Sequence, residues 1–72
     1  MLTQGDLVRL PANTCLIQER NELHLVDNWR YTAKPTIGIF IKYERGEEVM
    51  IFVENDFWIV NNKDIRYLGA AC

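Results

Sequence analysis

The sequence is sparing with the residues that most often carry chemistry: two cysteines, one histidine, two prolines and four glycines in 72 positions. Cys15 and Cys72 lie far apart and form no C-x-x-C pair, so neither a zinc ribbon nor a thioredoxin-like redox site is supported. Small secreted scaffolds normally carry several bridges. Two cysteines are therefore expected to stay reduced, Cys15 as a small buried hydrophobe and Cys72 as an exposed terminal thiol. His24 has no second His or Cys at ligand spacing. It also lacks an orienting acid and a nucleophile to serve, so it reads as a surface or cross-strand residue. The longest apolar runs, Ile37–Ile41 and Val49–Val53, fall far short of the ~20 residues that cross a bilayer. The N-terminus shows neither the basic flank nor the apolar stretch of a signal peptide. A basic excess is missing too. Eight Lys+Arg oppose ten Asp+Glu, for a net charge of −2, which argues against a dedicated nucleic-acid binder. Arg30, Lys34 and Arg66 are too scattered for a basic groove. No residue constellation supports an enzyme, a cofactor, a metal or a small-molecule substrate.

What the chain has is apolar residues, 49% of the total. That is too many for a disordered tail and enough for one domain spanning 1–72, near the ~70–80 residue size below which a single core stabilises weakly. Their period is two. In Thr36–Glu44, alternation sets Ile37, Ile39, Ile41 and Tyr43 on one face and Thr36, Gly38, Phe40 and Lys42 on the other. Gly38 within this strand marks a bend or a close backbone approach. A turn at Glu44–Glu47, with Gly46 free to take positive φ, leads to a partner strand over Glu48–Glu54. A second turn at Glu54–Asp56 leads to a short third strand, Phe57–Val60. Asn61–Asp64 suits a single 3₁₀ turn, and Ile65–Leu68 alternates as a last strand. At the start, Gly5–Leu10 reads as a turn into a strand that Pro11 ends.

Residues 11–35 form a long excursion, an elaborated loop or an extra hairpin. Thr14–Gln18 and Leu23–Val26 are its candidate strands, and Asp27–Tyr31 reads as a turn carrying two aromatics. No helical spacing survives in this stretch, given Asn21, Asp27-Asn28 and the β-branched residues. The expected fold is all-β: about five main strands with a long first loop and a 3₁₀ turn before the last strand. A sheet of that size avoids bare edges best by curling into a small barrel in the SH3-like order.

Three stretches carry a family likeness. Gly5-Asp6-Leu7-Val8-Arg9-Leu10 resembles the opening strand of many SH3-like barrels. Gly38-Ile39-Phe40-Ile41 resembles their second strand, and Trp58-Ile59-Val60 with Asp64-Ile65-Arg66-Tyr67-Leu68 resembles their ending. Taken together, in this order, they are similar to small SH3-like proteins of tailed bacteriophages of the myophage and cyanophage type. The resemblance implies a virion component or assembly protein. The A-L-Y-D-Y-like run of peptide-binding SH3 domains is absent, and Gly38 lies too far from the first strand for the KOW pattern.

Glu47, Glu48, Glu54 and Asp56, with Lys42 and Arg45, flank the stickiest strands and read as gatekeepers against edge pairing. The aromatics Trp29, Tyr31, Tyr43, Phe57 and Trp58 cannot all be buried in so small a fold. Phe57 and Trp58 are adjacent and must point to opposite faces, one inward and one at least partly outward. Exposed aromatics are enriched in protein interfaces. Trp29, Tyr31 and Trp58 are therefore the expected anchors, together with Leu23 and Leu25, and the segment 11–35 is the expected partner-specific arm.

The function expected is that of a non-enzymatic structural protein of the head, neck or tail, located in the virion and assembled in the host cytoplasm. Its partners would be copies of itself or other protein subunits, with no membrane and no nucleic acid. Two alternatives stand: a small nucleic-acid-binding barrel of the cytoplasm, and an SH3-like accessory subunit docked on an electron-transfer complex. One further observation favours a partner. Large apolar side chains occupy both faces of Ile37–Tyr43 and of Val49–Val53, whereas a half-buried strand needs only one such face.

Overall fold

The computed structural model describes residues 1–20 and 25–70. Among the described residues there are seven strands: β1 Leu7–Leu10, β2 Cys15–Arg20, β3 Leu25–Tyr31, β4 Thr36–Arg45, β5 Glu48–Val53, β6 Asp56–Asn61 and β7 Arg66–Gly69. A 3₁₀ turn, Asn62–Asp64, precedes β7 and is capped by the Asn61 side chain, which accepts from Lys63 N–H. The fold is all-β. The strands form one antiparallel sheet in the order β3-β2-β6-β5-β4-β1-β7.

The meander β4-β5-β6 forms where period-two alternation is strongest, and its turns follow backbone chemistry. Glu54 and Asn55 both take positive φ, the pattern of a tight hairpin turn whose twist matches the strands it joins. Gly46 takes positive φ between β4 and β5. Gly38 is a point of close approach. A Cβ there would lie 3.1 Å from Val53 Cβ and 3.2 Å from the Phe52 carbonyl oxygen.

Two expectations change. The sheet has seven strands rather than about five, because the excursion 11–35 contributes β2 and β3. Asp27–Tyr31, expected as a turn, lies in β3. Asn28, Trp29, Arg30 and Tyr31 pair with Gln18, Ile17, Leu16 and Cys15. The turn-like Asp27-Asn28 step is absorbed as a bulge, since Asn28 opposes Gln18 and Val26 opposes Glu19.

The face of Tyr43 changes as well. Ile41 is an extra residue between the pairs Phe40–Ile51 and Lys42–Met50, so Tyr43 ends opposite Val49 on the inner face. There its ring meets Phe40 edge-on at 5.0 Å.

The inner face carries the core. Phe40, Ile51 and Trp58 are cross-strand neighbours in one row, and Val49 pairs with Val60. Val8, Leu10, Leu16, Val53 and Ile65 complete the buried cluster. The base of the β2–β3 hairpin is closed by two buried threonines. Thr14 N–H donates to Thr32 Oγ1 at 2.9 Å, and both hydroxyls donate to the Pro11 carbonyl at 2.7 Å. Neither threonine stood out in the sequence, because only the strand pairing brings them together.

Candidate functional site

The registers place a second set of apolar residues on the opposite, outer face. One row crosses four strands as Leu7–Ile39–Phe52–Phe57. Another crosses four as Trp29–Ile17–Ile59–Met50. Phe52 and Phe57 meet edge-on at 5.0 Å, and Trp29 and Tyr31 at 5.9 Å. Ile37 is also exposed on this face, opposite Arg9. Trp29 is 62% exposed and Phe57 49%. A sheet that buries one face has no need of such side chains on the other, so the surface reads as unfinished.

Ion pairs frame this face. Arg45 donates to both oxygens of Glu19, at 3.0 and 2.7 Å, and lies 3.3 Å from Glu48. Glu19 follows Ile17 by two residues and Glu48 precedes Met50 by two, so both carboxylates share the outer face. The bridge therefore joins the adjoining ends of β4 and β5 to β2 across β6, on the side that carries Ile59, and Ile59 is only 5% exposed. Hydrogen bonding to Glu19 holds the Arg45 guanidinium pKa above its ordinary value. Below the bridge a shallow hollow is lined by Cys15, Ile17, Glu48, Ile59 and Asn61. Of the other expected gatekeepers, Glu47 pairs with Lys63, Lys42 with Glu44 and Glu54 with Arg30, while Asp56 accepts a hydrogen bond from Gln18 Nε2 at 3.0 Å.

The expected anchors separate. Trp29 and Tyr31 are exposed neighbours on the outer face, as is fitting for contact residues. Leu25 is exposed at the start of β3. Leu23 lies outside the described residues, and so do His24 and Cys72. Trp58 is 4% exposed and belongs to the core, so it cannot act as an anchor in the folded chain. Adjacency required one of Phe57 and Trp58 to face outward. The register Ile51–Trp58 turns the indole inward, and Phe57 takes the outer position beside Phe52. Arg30 covers the buried indole, with its guanidinium carbon 5.7 Å from the ring centroid. Cys15, expected buried, is a half-buried free thiol opposite Tyr31, because it faces the outer side of β2 while Leu16 beside it faces the core.

Among the described residues no group of three or more His, Cys, Asp or Glu side chains could hold a metal ion. Comparison with protein-family models, with curated proteins and with solved structures returned no significant match.

Proposed function

We propose that the sheet is an SH3-like barrel carrying an added hairpin, and that the chain is a non-enzymatic assembly protein, a small virion component of a tailed phage. The strand order supports the first part. Leaving out β2 and β3, the sheet reads β6-β5-β4-β1-β7, a five-strand arrangement with the 3₁₀ turn before the last strand.

A single observation carries the second part. Two cross-strand apolar rows lie on the face opposite the core, and three of their members, Ile39, Phe57 and Trp29, remain open to solvent. Interfaces that bind through a few aromatic anchors in a rigid setting have this composition. The mechanism is shape complementarity. A stiff sheet presents Phe57, Ile39, Ile37 and Trp29 to a neighbouring subunit, and association removes them from water at ~25 cal/mol per Å² of apolar surface.

Quantitative mass spectrometry of purified particles from the native source tests this reading. The chain is expected in fixed ratio to the major virion proteins, and a Phe57→Lys variant is expected to be lost from them. Particles that lack the native chain, or that retain the variant unchanged, overturn it.

A further inference from the structure

A hollow of about 610 Å³ opens between the segment that precedes β1, Tyr43 of β4, Tyr67 of β7 and the 3₁₀ turn. That volume lies inside the ~300–1,000 Å³ range of small-molecule sites. Tyr43 and Tyr67 both have the parity of the inner face, through their registers with Val49 and Val8, so the hollow is separate from the outer rows. Its walls are held in place. Gly5 N–H donates to the Phe40 carbonyl at 2.9 Å and Phe40 N–H to the Asp6 carbonyl at 2.8 Å, which clips the segment before β1 onto β4. Leu2 packs against the core, and its N–H donates to the Tyr43 hydroxyl oxygen at 3.0 Å. Asp6 is the one side chain around the hollow that is charged at neutral pH. It is half-buried. Its Oδ2 accepts from Thr3 N–H at 2.8 Å, and among the described residues it has no ion-pair partner.

We propose that this hollow binds a primary alkylammonium group, with Asp6 as its counter-ion. The lining selects the ligand by charge. An anion would meet the Asp6 carboxylate with no cation beside it, whereas a half-buried carboxylate gains from a cation that replaces its lost water. The lining also selects among cations. One carboxylate oxygen is already engaged by Thr3 N–H, which disfavours the bidentate fork of a guanidinium and suits a compact ammonium. A calcium ion takes six to eight oxygens, several of them charged, and this lining holds a single carboxylate.

The remaining groups match the rest of such a ligand. Asn62 and Tyr67 also line the hollow and add acceptor oxygens to that of Asp6, so the three N–H donors of an ammonium find three acceptor side chains. Leu2 and the two tyrosines offer apolar surface for the alkyl stem, and an aromatic ring face attracts the charge itself. The same chemistry belongs to a lysine side chain and to a free aliphatic diamine. The site is shallow and carries one charge, so a small amine binds it with a Kd on the order of 1 mM. The proposal uses no residue of the outer face and stands apart from the assembly reading.

Amide chemical-shift titration of the full chain at neutral pH and matched ionic strength tests this. n-Butylammonium is expected to shift the amides of Leu2, Thr3, Asp6 and Asn62 saturably. Neutral n-butanol and anionic butyrate are each expected to bind at least tenfold more weakly. Asp6→Asn keeps an oxygen for Thr3 N–H, so the turn is retained, and it is expected to weaken n-butylammonium at least tenfold. Asp27→Asn removes the same charge from β3, at the far margin of the sheet, and is expected to bind as the native chain does. Two larger probes separate the sources. Tighter binding of Nα-acetyl-lysine methylamide assigns the group to a protein side chain, tighter binding of 1,5-diaminopentane assigns it to a free diamine, and both results support the site. The proposal is overturned if n-butylammonium gives no saturable shifts at these amides, if n-butanol binds as well, or if folded Asp6→Asn binds as the native chain does.

Discussion

Arg45, at the end of β4, grips both carboxylate oxygens of Glu19 on β2, with two strands of the sheet between them. The Glu19 side chain is 7% exposed, and the Arg45 side chain keeps 43% of its surface in water. The pair therefore joins a nearly buried acid to a wetted base, and ties the added hairpin to the meander. Removing Arg45 leaves the Glu19 charge nearly buried without its bidentate donor, the costly way to break such a pair. Arg45→Ala is expected to lower the melting temperature, and Glu19→Gln to lower it less, because the amide carries no charge. The gap between the two variants is expected to shrink at high salt. Thermal unfolding at low and high ionic strength measures both effects. Equal losses for the two variants would contradict the role given to the bridge.

Adjacent aromatics should respond oppositely to truncation. Trp58→Ala removes the largest side chain from the buried row Phe40–Ile51–Trp58 and is expected to cost ~3–5 kcal/mol of stability. Phe57→Ala removes one edge-on contact with Phe52 and is expected to cost only ~1 kcal/mol. Its main effect should fall on association. Trp58→Phe is a separate case. The indole N–H is buried with no hydrogen-bond partner among the described residues, so its removal relieves a cost while the smaller ring loses packing. A net loss below ~1.5 kcal/mol is expected. Chemical denaturation of the three variants gives the order.

Gly38→Ala adds a methyl group where Val53 Cβ would lie 3.1 Å away and the Phe52 carbonyl oxygen 3.2 Å away. Neither atom can rotate aside, since a Cβ is fixed to its own backbone and the carbonyl belongs to a ladder between two paired strands. Overpacking of this kind is expected to cost ~1–3 kcal/mol, read as a lower denaturation midpoint with an unchanged slope.

The threonine lock at the hairpin base yields an asymmetric expectation. Thr32→Val takes the acceptor away from buried Thr14 N–H and is expected to cost ~1–3 kcal/mol. Thr14→Val leaves the Pro11 carbonyl its second donor, the Thr32 hydroxyl at 2.7 Å, and is expected to cost less. Hydrogen exchange of the β2–β3 amides would report the local loosening in Thr32→Val.

What could be read in the sequence was what depends on neighbours in the chain. Val49–Val53 alternates without interruption and packs as it reads, with Val49, Ile51 and Val53 inward. The turn at Glu54–Asn55 and the close approach at Gly38 follow from residue type. The misreadings share one cause, that pairing across the sheet reshapes what local pattern suggests. Ile41 looks like one more alternating residue, yet as a bulge it moves Tyr43 to the other face. Asp27-Asn28 looks like a turn, yet Gln18 pairs with Asn28 and keeps it in a strand. Adjacency proved that Phe57 and Trp58 diverge, but only the register with β5 decided which turns inward. The Glu19–Arg45 bridge depends on strand order, which no local pattern encodes. The surplus of apolar residues was visible from the start, and the structure assigns it to two cross-strand rows on the outer face.

A chain that works through protein contacts must have that outer face covered when it is at work. Hydroxyl-radical footprinting, read residue by residue, compares the isolated chain with the assembly recovered from its native source. Phe57, Ile39, Ile37 and Trp29 are expected to be labelled several-fold less in the assembly, while Phe40, Ile51 and Val60 stay unlabelled in both. Equal labelling of the four outer residues in the two states would contradict the account.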